Sequence, residues 1–362
     1  MKKVKLSILG CPANNQLNEE GFSSISKFLP EGKNYLAGYE FYINQEVAEP
    51  DFWFVIDELN DIEQATISKD KVFFLTAEVP FVTSYFSDEE FLSQFHKIYS
   101  PHAIYNHDNN LALPFLPYMI NAAHGESIMR YDPEFNYDIM KQTDSYEKTK
   151  NISLFASNKG SHKNFMTQFH QIRYNFALRL KEHFKDKIDL YGYGHNEIVT
   201  KAEAIIPYKY HIVLENQATM NIITEKLYDS YLGLAYPIYW GAPNADKYFS
   251  KDSFSAINIL DFKQTVRVIE QVLEEDFYEQ KRKCLIEAKN KVLDEYGVFQ
   301  RIAKICNETN VAQSSQRENI VLKPRRSFQN HESKKIKKLK KLFKYGVPSV
   351  ITYELIRQLI NL

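Results

Sequence analysis

The sequence predicts an α/β protein made of two doubly wound, Rossmann-like domains that face each other across a cleft. Three observations lead there. Short apolar runs alternate with amphipathic stretches in both halves of the chain, the pattern of strand–helix units around a parallel sheet. The 362 residues exceed the ~250–300 at which a single core stops growing. A polar stretch over 121–150 separates the two alternating series. The boundaries that follow are a first domain over 1–145, a second over 146–310, and a basic segment over 311–362.

The first half opens on VKLSILG (4–10), then FWFVID (52–57) and KVFFLTAE (71–78), each read as a buried strand followed by turn or helix-start residues. LALPFLPYMI (111–120) carries Pro114 and Pro117, which exclude a regular helix or central strand, so it is read as an extended crossover. The second half opens on NISLFAS (151–157). A helical stripe of Phe169, Ile172, Phe176 and Leu180 follows, at spacings of three and four. KIDLYGYG (187–194) and YHIVLEN (210–216) are further strands, and 224–234 is a helix with Leu227, Tyr231 and Leu234 on one face. AYPIYWGAP (235–243) is again a strand and glycine turn, and 264–306 is read as helical, with Val266, Ile269, Val272 and Leu273 facing a core.

Composition excludes several classes. A hydrophobic fraction of 44% is too high for a disordered chain. No uninterrupted run of 18 apolar residues marks a membrane span, and MKKVKLSILG is too short for a signal peptide. Cys11, Cys284 and Cys306 have neither disulfide nor zinc spacing, which fits a reducing compartment. Charge is unevenly placed: eleven Lys or Arg against two Glu over 323–357, and 34 basic against 44 acidic residues elsewhere. That is a basic appendage on an acidic body, not a nucleic-acid-binding core.

Four ordered pieces carry the functional reading: YKYHIVLENQ (208–217), ITEKL (223–227), YPIYWGAP (236–243) and KDSF (251–254). In order and spacing they resemble the C-terminal domain of the α1,3/4-fucosyltransferases of bacterial type, glycosyltransferase family 10. Its pattern runs Tyr-Lys-Phe…Phe-Glu-Asn-Ser, Tyr-x-Thr-Glu-Lys, Val-Pro-x-x-x-Gly, Ser-Phe. Gln217 and Ile222 stand where that pattern has Ser and Tyr. Ser157–Asn158 and Arg173 are similar to its Ser-Asn strand end and helix-start Arg, and Glu78-Val79-Pro80 to a Glu-x-Pro strand end in its N-terminal domain. The resemblance implies the GT-B arrangement and inverting transfer of L-fucose from GDP-β-L-fucose to a glycan hydroxyl, with an α1,3-type linkage.

The residue types suit that chemistry. A diphosphate leaving group can be neutralised by fixed cations and a helix N-terminus. Lys226, in the first turn of a predicted helix, and Arg173 are the candidate cations, with Thr224 beside them. The apolar stripe begins before Arg173, which would set it in mid-helix rather than at the amide-rich end. Glu225 is suited to a ribose, as the resemblance also implies, and Asn216 to a base edge or phosphate. Ser157 and Asn158 are further donor-site candidates. Glu78 is the candidate general base, from the half opposite the donor. No Asp-x-Asp strand end is present, so no metal or other cofactor is expected. Another GDP-6-deoxyhexose, or a non-catalytic GDP- or sugar-binding protein at a membrane surface, remain alternatives.

SKKIKKLKKLFKYGVPSVITYELIRQLI (333–360) interleaves lysines with apolar residues. Basic amphipathic segments lie on anionic membrane surfaces. The expectation is a cytoplasmic enzyme, peripheral on the inner face of the bacterial cytoplasmic membrane, whose glycan acceptor is lipid-linked or a lipopolysaccharide.

Overall fold

The computed structural model describes residues 1–11, 13–14, 24–76, 89–100, 120, 136–157, 165–196, 198, 200–309 and 316–328. Seven strands belong to the first half: β1 (Lys2–Ile8), β2 (Tyr35–Leu36), β3 (Tyr39–Ile43), β4 (Phe52–Ile56), β5 (Glu63–Ser68), β6 (Val72–Leu75) and β7 (Lys97–Tyr99). Six form one sheet in the order β2-β3-β1-β4-β6-β7, parallel except for the β2–β3 pair. The continuous apolar runs are its centre: all five residues of β4 and all four of β6 are buried, as a parallel strand covered on both faces requires. The helix α1 (Glu89–Leu92) lies between β6 and β7, and α2 (Tyr137–Gln142) precedes the second half.

The second sheet contains β8 (Lys150–Phe155), β9 (Ile188–Tyr191), β10 (Tyr208–Leu214), β11 (Tyr236–Trp240) and β12 (Ser255–Ala256). Its order is β12-β11-β10-β8-β9, parallel throughout. The helix α3 (Phe165–Phe184) joins β8 to β9, and α4 (Glu225–Leu232) joins β10 to β11. Both doubly wound sheets read from the sequence are therefore present.

Three expectations need correction. Ile172 is 41% exposed, so it is not part of the buried stripe of α3. Among the described side chains the inward face is Arg173, Phe176, Ala177, Leu180 and Phe184, and the side chain of Phe169 lies outside them. The helical stretch after 264 is not continuous. It is α5 (Phe262–Glu274), α6 (Phe277–Gln280), α7 (Arg282–Lys291), a π-type turn over Val292–Tyr296, and α8 (Val298–Thr309). Asp276, in the left-handed region at φ 44°, turns the chain between the first two.

The third correction concerns the segment after 310. Arg317–Leu322 is a strand, β13, paired antiparallel with β5 from Leu322↔Glu63 to Arg317↔Ser68. It covers the edge of β5, whose backbone polar groups would otherwise face water unpaired. It also buries Leu322 against the cluster of Trp53, Val55 and Phe74. The chain thus returns to its first domain. The helix α8 reaches that domain too: Phe299 packs edge-on to Phe41 with ring centroids 5.0 Å apart, and the Tyr39 hydroxyl donates to Asn307 Oδ1 at 2.7 Å. The basic segment over 333–360 lies outside the described residues.

Candidate functional site

The carboxyl end of β10 is where a doubly wound sheet binds its ligand. Glu215 follows that strand and is fully buried. Its backbone N–H continues the ladder to the Trp240 carbonyl at 2.9 Å. The side chain reaches across to the head of α4, where Thr224 donates to it twice: N–H to Oε1 at 2.8 Å and hydroxyl to Oε2 at 2.5 Å. Gly241 keeps room for this arm, since a Cβ there would stand 2.5 Å from Glu215 Cγ and 2.1 Å from the Tyr239 hydroxyl oxygen.

Thr224 caps α4 and accepts from the Lys226 N–H at 3.4 Å. Lys226 therefore lies in the first turn, as its sequence predicts. Its Nζ donates to Glu225 Oε1 at 2.9 Å and to Thr224 Oγ1 at 3.2 Å, and lies 3.9 Å from Glu215 Oε2. Lys201 closes the group from the other side. Its Nζ is 3.5 Å from Glu225 and 3.4 Å from the buried carboxylate of Asp229, one turn further along α4.

Arg173 is mid-helix in α3, away from the amide-rich end, and only 9% exposed. Its Nη1 donates to Asn216 Oδ1 and lies 3.4 Å from His170 Nδ1, while its Nε has no hydrogen-bond partner among the described residues. Arg173, Asn216, Thr224, Glu225 and Lys226, selected from the sequence, thus gather round one strand end. Glu215 and Lys201 join them and were not selected. Glu215 could have been found from its place in Leu-Glu-Asn. Lys201 opens a short turn, Lys201–Ala204, which the capping box of Thr200 and Glu203 marks in the sequence, but nothing local places its ammonium beside Glu225.

The charges in this group are strongly coupled. Burial would lift the Glu225 carboxyl, but Lys226 and Lys201 outweigh it and hold it well below the usual carboxylate range. Burial dominates at Glu215 and pushes its carboxyl up, against the pull of Lys226. Burial also lowers the Arg173 guanidinium to about 10, opposed by Glu215 and Glu225. Arg173, Lys201 and Lys226 thus share one site with Glu215, Glu225 and Asp229.

Ser157 lies two residues beyond β8 and is turned to a structural contact: its Oγ accepts from the Tyr193 N–H at 3.2 Å. The approach needs Gly192, at φ 120°, where a Cβ would meet the Ala156 carbonyl oxygen at 2.5 Å. Glu78 and Asn158 lie outside the described residues. Among the described residues, no group of three His, Cys, Asp or Glu is placed to hold a metal ion.

These features define an α/β protein with two separate, mostly parallel sheets and a cluster of cations and carboxylates at the carboxyl end of the second. Residues 145–321 match the family model for glycosyltransferase family 10 (fucosyltransferase), C-terminal part, so the chain resembles that family across its second domain. An alpha-(1,3)-fucosyltransferase, FucT, of Helicobacter pylori is 35% identical over 79 residues, which are 22% of this chain and 16% of the relative. A fucosyltransferase-like protein of Arabidopsis thaliana is 30% identical over 129 residues, 34% of this chain and 23% of its own length. The chain therefore matches less than a quarter of either relative. A crystal structure of an alpha1,3-fucosyltransferase with GDP-fucose is similar over 88% of this chain and 92% of its own, at 16% identity and a TM-score of 0.44. An alpha-glucosyltransferase in complex with UDP and DNA aligns over 86% of this chain and 99% of its own, at 11% identity and a TM-score of 0.44.

Proposed function

We propose that the protein is an inverting glycosyltransferase that moves L-fucose from GDP-β-L-fucose to a hydroxyl of a cell-surface glycan, with an α1,3-type linkage. The observation that carries this reading is the cluster of Arg173, Asn216, Thr224, Glu225 and Lys226, all within the stretch matched to the family model. In this reading the second domain holds the donor. Arg173 and Lys226 neutralise the diphosphate as it leaves, without a metal ion, and Glu225 accepts hydrogen bonds from the ribose. The first domain holds the acceptor, and Glu78 takes the proton of the attacking hydroxyl. The acceptor oxygen bonds to the anomeric carbon on the face opposite the diphosphate, and GDP departs with the electron pair of the broken bond.

The basic segment over 333–360 would seat the enzyme on the inner face of the bacterial cytoplasmic membrane, beside a lipid-linked or lipopolysaccharide acceptor. Among the described residues no helix is long and apolar enough to cross a membrane. A second reading, a different GDP-6-deoxyhexose as donor, is favoured by Ile222. It is 3% exposed and supplies no hydroxyl where the family pattern has tyrosine.

The test is transfer from a panel of GDP-sugars to β-galactosyl-GlcNAc-type acceptors, with and without EDTA, read by mass spectrometry. Fucosylated product that persists in EDTA is expected. Transfer of another 6-deoxyhexose alone would select the second reading, and loss in EDTA restored by Mg²⁺ would overturn metal independence. GDP binding without transfer or donor hydrolysis would leave a binding protein.

A further inference from the structure

Arg301, in α8, is 8% exposed and, among the described residues, its side chain makes no hydrogen bond or ion pair and its Nε has no partner. Its guanidinium instead lies over the Tyr296 ring, 4.7 Å from the centroid. A buried cation without a carboxylate is costly to keep, and one that the fold does not pair is available to a ligand that supplies the countercharge.

Its surroundings lead to the candidate site. Tyr296 stacks against Tyr228 of α4, with centroids 6.4 Å apart and planes within 14°. Tyr228 is three residues beyond Glu225, on the same side of the helix. The Tyr296 hydroxyl donates to the Tyr248 carbonyl at 3.1 Å. Tyr248 in turn donates its hydroxyl to Asn221 Oδ1, in the loop between β10 and α4 that ends at Thr224. Phe249 fills the space between, packed on both Tyr228 and Tyr296. The guanidinium acts electrostatically on the Tyr228 and Tyr248 phenols, and Tyr228 also feels the charge of Glu215. Arg301 is therefore linked, through Tyr296 and Tyr248, to the loop that leads into Lys226.

We infer that Arg301 is a further contact for the donor's diphosphate, reached from α8 while Arg173 and Lys226 hold it from α3 and α4. This rests on the donor reading above. Because α8 also packs on β3 through Phe299 and Phe41, the contact would join the bound diphosphate to the element shared by both domains.

The test is Arg301→Met, with GDP, guanosine and inorganic pyrophosphate binding measured by calorimetry beside the thermal midpoint. GDP and pyrophosphate affinity should fall about tenfold or more, the scale of one charge-assisted hydrogen bond. Guanosine affinity should not change. The midpoint should hold or rise, because the substitution breaks no hydrogen bond and removes an unpaired buried charge. Arg301→Lys should restore part of the affinity. Unchanged GDP affinity would overturn the inference, and so would a lower midpoint with equal losses for GDP and guanosine, since that pattern marks a structural role. If the intact protein binds no GDP, the donor reading falls separately. Pyrophosphate then decides: weaker binding in Arg301→Met supports a phosphate contact, and unchanged or absent binding overturns it.

Discussion

The Glu215–Thr224 contact ties the end of β10 to the head of α4, and its strength can be measured by pairing Glu215→Gln with Thr224→Val. Thr224→Val removes the hydroxyl bond to a fully buried carboxyl, worth about 1–3 kcal/mol. It also removes the helix cap, worth about 1 kcal/mol. The expected loss is about 2–4 kcal/mol, a fall of about 4–16 °C in the midpoint of a unit this size. Glu215→Gln keeps an acceptor for the Thr224 N–H but turns a carboxamide toward the hydroxyl, and should cost about 1–2 kcal/mol. The two groups are direct partners, so the double variant should lose less than the sum by about 1–3 kcal/mol. Urea unfolding of the four proteins, followed by circular dichroism, supplies the cycle. Losses that add within about 0.5 kcal/mol would refute the view that this contact sets the head of α4.

Lys226→Ala should weaken GDP binding and lower turnover by about 10²-fold, the scale of one lost charge-stabilising donor; unchanged GDP affinity in calorimetry would remove Lys226 from the site. Glu78→Gln should lower transfer by about 10²–10⁴-fold with donor affinity kept, the signature of a lost general base, and a near-normal rate would exclude that role. Burial pushes the Lys148 ammonium down to about 7 from its ordinary value of 10.5, although it donates to the Ile206 and Gly233 carbonyls, both at 2.7 Å. Between those two values the unfolded chain holds a proton that the folded one has released, so this residue makes stability rise from pH 7 toward 10. Lys148→Met should flatten that rise in denaturation midpoints; an unaltered slope would assign it elsewhere. Deleting 333–362 should release the protein from anionic vesicles and leave GDP binding intact, whereas equal vesicle binding would place the membrane contact on another surface.

Much of the fold was legible because parallel strands covered on both faces are written as unbroken apolar runs. FWFVI and YHIVL left little alternative to buried strands. β5 and β13 were not legible. EQATIS and RENIVL are half polar, and neither shows its partner, because pairing between distant antiparallel edges leaves no local signal. In the site, Thr224, Glu225 and Lys226 were readable because a cap and first turn are local in sequence. Lys201 was not, because its place beside Glu225 and Asp229 comes from tertiary packing. The start of the α3 stripe was misread at Ile172 because the cationic Arg173 occupies a position on the inward face that periodicity alone assigns to an apolar residue.

The pairing of β13 with β5 has a consequence for synthesis on the ribosome. Residues 63–68 emerge early, but the strand that covers their edge is made only after the whole second sheet. The earlier-made of the two sheet regions is therefore finished after the later one. Until then β5 presents an open template to any extended chain nearby. A stop codon placed between α8 and β13 would leave the second sheet complete and turn that waiting edge into a permanent one, a lesion felt at the opposite end of the gene from the residues it exposes.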